Sequence, residues 1–88
     1  MFRGVSESAW SRRHIRRHGV TADEVRQAVL EGPYWITRGR EDSYLIYGRT
    51  HAGRLLMIVA LMDDGDAFIV TARDMTDREK RTYRRKAR

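Results

Sequence analysis

Two stretches near the start of the chain carry apolar residues at the spacing of a helix. The first covers residues 8–18 and precedes Gly19, a residue that readily takes the left-handed conformation in which many helices end. At about 100° per residue, this segment divides into two arcs. One arc carries aromatic, apolar and small residues: Trp10, Ser11, His14, Ile15 and His18. The other arc carries four arginines: Arg12, Arg13, Arg16 and Arg17. We expect the first arc to pack and the arginines to face water.

The second helix has a defined start and a defined end. Thr21 is followed three residues later by Glu24, which makes a capping box, and Val20 is placed to pack on Val25. The Gly-Pro pair at residues 32–33 stops the helix. The buried stripe of this helix is expected to consist of Val25, Ala28 and Val29.

Four segments with the composition of β-strands follow at short spacing: residues 34–38, 44–50, 54–62 and 67–73. Their connections are short enough for hairpins, and Asp64-Gly65 is a strong tight-turn signal. The pattern therefore predicts an antiparallel meander. Because residues 55–62 are apolar on both faces, we expect this strand to be central and covered by helices on at least one side. Residues 2–5 are predicted to form a short edge strand.

A final helix is expected to begin near Thr76, where Glu79 completes a second capping box. Only Met75, Tyr83 and Ala87 can pack, so we expect this helix to dock weakly. Its arginines form one basic stripe with Lys80 and Arg84 beside it: Arg78, Arg81, Arg85 and Arg88. The predicted fold is a single α+β domain over residues 1–88, with two N-terminal helices, an antiparallel meander of about four strands and a C-terminal helix.

The charge balance favours an anionic partner. Lys and Arg number 18 against 12 Asp and Glu, a net charge of +6, and nearly all the cations are arginine, whose planar fork matches phosphate and carboxylate. RNA or an acidic protein would suit this surface. The chain has no cysteine, which fits a reducing cytoplasm. Its longest apolar run, residues 55–62, is far shorter than the about 20 residues of a membrane span, so we expect no membrane association.

His14 and His18 are four residues apart, as two zinc ligands on one helix face would be. The zinc-protease pattern also needs a glutamate after the first histidine, and Ile15 stands there. We therefore expect no metal and no cofactor. Two interpretations stay open: the rings pack at the edge of the helix between Trp10 and Ile15, or a histidine lines a groove and acts as an acid or base.

Two other groups of residues could take part in chemistry. Arg73 ends the last strand, and Glu79 and Tyr83 follow as an i, i+4 pair on the next helix. RNA cleavage by its own 2′-oxygen needs a proton acceptor, a proton donor and positive charge at the phosphate, and these residue types supply those roles. The alternative is structural, since Glu79 also completes the capping box and Tyr83 is the main core anchor of the helix. Arg49 and Arg54 flank a turn containing His51 and Gly53, for which a solvated hairpin tip is the alternative.

Several strings in order resemble one family, the BrnT-type toxins of bacterial toxin–antitoxin pairs. They are RRHIRRHGVTADEVRQAVLEGP, YGRTHAGRLLMIVAL and IVTARDMTDREKRTY. The resemblance implies a RelE-like ribonuclease fold in a cytoplasmic bacterial protein that inhibits translation and is neutralised by a cognate antitoxin, which also binds DNA. It maps the family pattern onto His18, Arg49, Arg73, Glu79 and Tyr83. The family usually opens with an aromatic residue, an acidic residue and spaced lysines, whereas this chain has SESAWSRRH.

The resulting hypothesis is metal-independent RNA cleavage. Arg73 and Arg49 would hold the phosphate, Glu79 or His18 would take the 2′-proton, and His18 or Tyr83 would protonate the leaving oxygen. Other arginines would bind RNA: Arg54, Arg78, Arg81 and Arg85. The alternative is a basic module that binds RNA or a protein partner without catalysis.

Overall fold

The computed structural model describes residues 2–88 and shows a five-stranded sheet with helices on both faces. The elements in chain order are β1 (Gly4–Ser6), α1 (Ala9–Arg17), α2 (Ala22–Leu30), β2 (Trp35–Arg38), β3 (Tyr44–Arg49), β4 (Leu55–Asp63), β5 (Asp66–Asp74) and α3 (Asp77–Lys86). The strand order is β1-β5-β4-β3-β2, and β2 to β5 form the predicted antiparallel meander. The predicted edge strand lies at Gly4–Ser6 and runs parallel to β5. The α+β class is thus confirmed, but the sheet is mixed and has five strands instead of about four.

Local hydrogen bonds explain where the helices begin. The capping boxes predicted at Thr21 and Thr76 are both present, and a third forms at Ser8 with Ser11. Each box satisfies backbone N–H groups that the first turn of a helix leaves without a partner. No helix within residues 2–88 is long and apolar enough to cross a membrane.

The central strand β4 packs on both faces, as predicted. Leu56, Ile58 and Ala60 belong to a cluster with α1 and α2, whereas Met57 packs on the opposite face beside α3. The first cluster includes Val20 and Val25, which flank the start of α2, and it forms the larger core. Helices therefore cover this strand on two sides.

One helix, α3, crosses the strands over a single row of cross-strand neighbours. The row runs through four strands: Arg73, Met57, Tyr47 and Trp35. Tyr83 of α3 is buried against it, and Met75 and Ala87 also pack there, which confirms the three predicted packing residues. Polar contacts reinforce this docking at the far end, where the backbones of Tyr34 and Arg88 exchange two hydrogen bonds of 3.1 Å. These two hydrogen bonds add to the contacts of the few apolar residues of α3.

An irregularity in β5 decides which face Arg73 occupies. Val59 pairs with Thr71 but its neighbour Ala60 pairs with Ile69, so β5 contains one extra residue between those two partners. Ala67 and Ile69 face the α1–α2 core, and after the extra residue Ala72 faces it as well. Strict alternation would have directed Arg73 into that core. The bulge places it on the α3 face.

The arc of α1 that we expected to pack is narrower than predicted. Ser11 and Ile15 are buried, but Trp10 is 55% exposed and His18 is exposed. The prediction that Trp10 packs was wrong, because burial is centred on Ser11 and Ile15 and Trp10 lies on the flank of the helix. His14, between them, is half-buried.

Candidate active site

The strongest polar contact on the α3 face joins Arg73 to Glu79. Two parallel hydrogen bonds of 2.8 and 3.0 Å connect the guanidinium and the carboxylate, and Glu79 also accepts the Thr76 N–H at 2.8 Å. The hydrogen bonds from Arg73 lower the pKa of Glu79, and the Thr76 backbone contributes in the same direction. Glu79 is therefore a carboxylate at neutral pH. The same pairing raises the pKa of Arg73.

Tyr47 lies in the same cross-strand row as Arg73 and was missed by sequence reasoning. Its side chain is buried, and burial is the main reason that its pKa is raised. The charge of Glu79 raises that pKa further and Arg73 opposes the change. In the row of cross-strand neighbours, Met57 separates Tyr47 from Arg73. One feature of the sequence could have indicated Tyr47: it stands two residues before Arg49 on β3, so both side chains lie on the same face of the strand.

The hydroxyl proton of Tyr83 is engaged in a hydrogen bond within the protein. The hydroxyl donates a 2.6 Å hydrogen bond to the Pro33 carbonyl oxygen. Burial raises the pKa of Tyr83, and the charge of Arg49 acts in the opposite direction. The ring is a packing anchor and the hydroxyl ties α3 to the start of β2. Arg49 itself is exposed.

Arg54 is a structural centre. Its guanidinium donates to Asp74 at 2.7 and 3.1 Å, to Glu24 at 3.3 Å and to the carbonyl oxygens of Gly19 at 2.7 Å and His18 at 3.3 Å. These bonds raise the pKa of Arg54, chiefly through Asp74. Each of its nitrogens already serves a protein acceptor, so Arg54 joins the end of α1, the start of α2 and the end of β5.

His18 lies on the other side of that junction. Its charge, with those of Arg54 and Lys80, lowers the pKa of Asp74, and Arg54 is the largest cause. The ring of His18 meets His14 edge to face at 5.9 Å. The His18 backbone is held near the end of β5 because Arg54 donates to both its carbonyl oxygen and Asp74, whereas Arg73 and Glu79 face α3.

The turn after β3 holds a second polar cluster. His51 and Glu31 approach to 2.8 Å, and the His51 backbone N–H donates to Gln27 at 2.8 Å. Both side chains border an open cleft of about 350 Å³ together with Arg49. The predicted hairpin tip is exposed, but it is fixed to the end of α2 through Glu31, a residue that sequence reasoning missed.

The basic stripe of α3 lies away from the sheet. Arg78, Arg81 and Arg85 are exposed, and none of them forms an ion pair within the part of the chain that the structure describes. The same region contains no group of three or more histidine, aspartate or glutamate side chains that could hold a metal ion. These three arginines therefore offer positive charge to a ligand.

Comparison of the chain with models of known protein families, with curated proteins and with solved structures finds no match. The resemblance to BrnT-type toxins and to their RelE-like fold stays a prediction from the quoted strings.

Proposed function

We propose that this chain is a metal-independent ribonuclease of the toxin type, acting at the Arg73–Glu79 pair. One observation carries the proposal: a partly buried carboxylate held ionised by a bidentate arginine, on a positively charged protein. A group that can accept a proton and a group that can bind phosphate are thereby held within hydrogen-bond distance of each other.

The chemistry would use the RNA's own nucleophile. The 2′-oxygen forms a bond to phosphorus while the bond from phosphorus to the 5′-oxygen breaks, which leaves a 2′,3′-cyclic phosphate and a 5′-hydroxyl. Glu79 takes the 2′-proton, and Arg73 and Arg49 stabilise the charge on the phosphate. When Arg73 turns toward a phosphate it releases Glu79, whose basicity then rises because the lowering of its pKa comes mainly from Arg73.

The proton for the leaving oxygen has two candidate sources. His18 is the histidine that the family resemblance maps, but its backbone lies with Asp74 on Arg54, away from the Arg73–Glu79 pair, so it could act only if the RNA brought the leaving oxygen to it. Tyr47 is the alternative because it lies in the same cross-strand row as Arg73, on the sheet face that α3 covers. Tyr83 is assigned to positioning α3, since its proton is directed to Pro33. Arg54 is likewise assigned to structure, and RNA binding is left to Arg78, Arg81 and Arg85.

The resemblance to BrnT-type toxins extends the proposal to the cell. The protein would act on RNA in a bacterial cytoplasm, inhibit translation and be neutralised by a cognate antitoxin that also binds DNA. Such a partner would have to cover Arg73 and Arg49. The sheet beside α3 could offer apolar contacts to such a partner. Leu61 is 39% exposed there, and three other apolar residues are only half-buried: Leu45, Val59 and Phe68.

The test is RNA cleavage by purified protein in EDTA. We expect products that end in 2′,3′-cyclic phosphate, and a loss of at least about 100-fold in rate for Glu79→Gln and for Arg73→Ala. Thr76→Ala is the matched control because it removes the capping hydroxyl but keeps the Arg73–Glu79 pair. Intact RNA, or equal rates for Glu79→Gln and the parent protein, would exclude the proposed site.

A non-catalytic binding module is the second candidate. It is favoured by the hydrogen bonds within the site. Both terminal nitrogens of Arg73 donate to Glu79, and the Tyr83 hydroxyl donates to the Pro33 carbonyl oxygen. Such a module would bind RNA with an affinity that falls steeply with salt and would leave the RNA intact.

A further inference from the structure

The outer flank of α1 carries an aromatic ladder, formed by Trp10, His14 and His18. The Trp10 and His14 rings are stacked, with centroids 4.9 Å apart and planes inclined by 9°. His14 then meets His18 edge to face at 5.9 Å. Neighbouring turns of one helix thus present three rings in a row.

The side chain of Trp10 is unusually exposed for a tryptophan. It is 55% exposed, although a tryptophan contributes more to a core than almost any other side chain. Because His14 covers one face of the indole, the exposed surface includes the opposite face and the edge. The His14 stack also fixes the orientation of the ring, so little conformational entropy remains to be lost when a ligand stacks on it.

Arginines accompany the ladder. Arg13 and Arg17 border a shallow cavity of about 150 Å³ together with Trp10 and His14. Neither arginine forms an ion pair with any residue of the described chain. By contrast, Arg12 on the opposite flank is paired with Glu7 at 3.2 Å. Two arginines without an ion pair therefore lie beside the exposed indole.

We propose that this flank binds single-stranded nucleic acid, with one base stacked on Trp10 and adjacent phosphates on Arg13 and Arg17. An oriented aromatic face beside unpaired cations is the arrangement with which proteins hold unpaired bases. A duplex keeps its bases stacked and cannot use the indole, and an acidic peptide would use only the arginines. The ladder ends at His18, whose backbone carbonyl oxygen and the Asp74 carboxylate both accept hydrogen bonds from Arg54. A strand on α1 would thus lead toward the end of β5.

This inference rests on the proposed function only for the choice of nucleic acid as ligand, and its test does not need cleavage. The probe is an oligothymidylate of about eight nucleotides, within the range of single-strand site sizes. It lacks the 2′-hydroxyl and so cannot be cut by the proposed reaction. Trp35→Phe serves as the parent, because Trp35 is the second of two tryptophans and is stacked on Tyr47 at 4.6 Å, which leaves the fluorescence of Trp10 alone.

We expect the oligothymidylate to quench Trp10 fluorescence and an abasic strand of equal length to bind without quenching it. Affinity is measured by the fluorescence anisotropy of a dye-labelled strand, since the Trp10 variants lack the indole. Trp10→Ala should weaken binding roughly tenfold or more, Trp10→Phe should restore most of the affinity, and Arg13→Ala with Arg17→Ala should reduce the salt dependence. Circular dichroism checks that each variant is folded.

Three outcomes would overturn the inference: unchanged affinity in Trp10→Ala, equal affinity for the abasic and normal strands, or quenching by polyglutamate and not by oligothymidylate. A protein that binds through Trp10 but leaves RNA intact would refute only the proposed cleavage. A protein that cuts RNA and shows no dependence on Trp10 would refute only this inference.

Discussion

Arg54 and Asp74 hold the start of β4 to the end of β5 through two hydrogen bonds of 2.7 and 3.1 Å. The same guanidinium reaches the Gly19 carbonyl and the Glu24 carboxylate, so one side chain joins the sheet to both helices on its larger core. Substituting it leaves several acceptors without their donor at once.

We expect Arg54→Ala to lower the free energy of unfolding by about 2 kcal/mol, a value reduced for the partial exposure of the group. Urea denaturation measures the change. Arg26→Ala is the matched control, because Arg26 and Asp23 are exposed and 3.8 Å apart, and it should cost less than about 0.5 kcal/mol. Equal costs for the two variants would show that the Arg54 contacts add nothing beyond a surface pair.

The free energy of unfolding should fall at acid pH as the hydrogen-bonded carboxylates become protonated. In the folded protein the pKa values of Glu24, Asp74 and Glu79 are all lowered, the first mainly by the Thr21 backbone and the others by arginines. The unfolded chain therefore binds protons more readily. The contribution of these groups is complete above the ordinary carboxyl range of about pH 4 and is lost as the pH falls through the lowered values.

Urea unfolding from pH 7 to pH 3 tests this expectation. The parent protein should lose stability below about pH 4, and Arg54→Ala should lose less over the same interval, because the partner of Asp74 is already gone. Parallel pH profiles for the two proteins would contradict the assignment of the lowered Asp74 pKa to Arg54.

The Tyr83 hydroxyl should matter for stability and not for chemistry. Tyr83→Phe removes the 2.6 Å bond to the Pro33 carbonyl and keeps the ring, so we expect a loss of about 1 kcal/mol in the free energy of unfolding. Tyr83→Ala should cost about 3 kcal/mol or more because the ring is buried. Loss of RNA cleavage in a folded Tyr83→Phe protein would instead make Tyr83 the proton donor.

Gly48 is required where β3 meets α2. A Cβ atom at this position would overlap the carbonyl oxygen of Ala28 and lie 3.0 Å from its Cβ. Gly48→Ala should therefore displace α2 and cost about 2–3 kcal/mol. Gly53→Ala is the comparison: nothing lies within 4 Å of its Cβ, and only its φ of +90° opposes the change, at roughly 1 kcal/mol. A thermal or urea melt that ranks Gly53→Ala as the costlier change would refute this explanation.

Local signals predicted the local structure. The capping boxes at Thr21 and Thr76 and the turn at Asp64-Gly65 each depend on residues within a few positions of one another, and all are present; Asp64 and Gly65 have φ values of 52° and 89°. The central place of β4 followed from its apolar faces. These features need no knowledge of distant partners.

Features fixed by distant contacts were not predictable. The bulge between Ile69 and Thr71 depends on the register with β4, and the parallel pairing of β1 depends on a strand near the other end of the chain. In the candidate site, Arg73 and Glu79 are six residues apart and were foreseen, whereas Tyr47 joins them only through the order of the strands. The structural contacts of Arg54 were not predicted either, because its acceptors are scattered along the chain.

The pairing of β1 with β5 has a consequence for the order of events in synthesis. Gly4–Ser6 is made before its partners, Asp66–Phe68, with two helices and three strands between them, and α1 packs mainly on the same later strand. Closing so long a loop costs entropy before any contact repays it. The arginine-rich segment of α1 must therefore stay unassembled until β5 has been made.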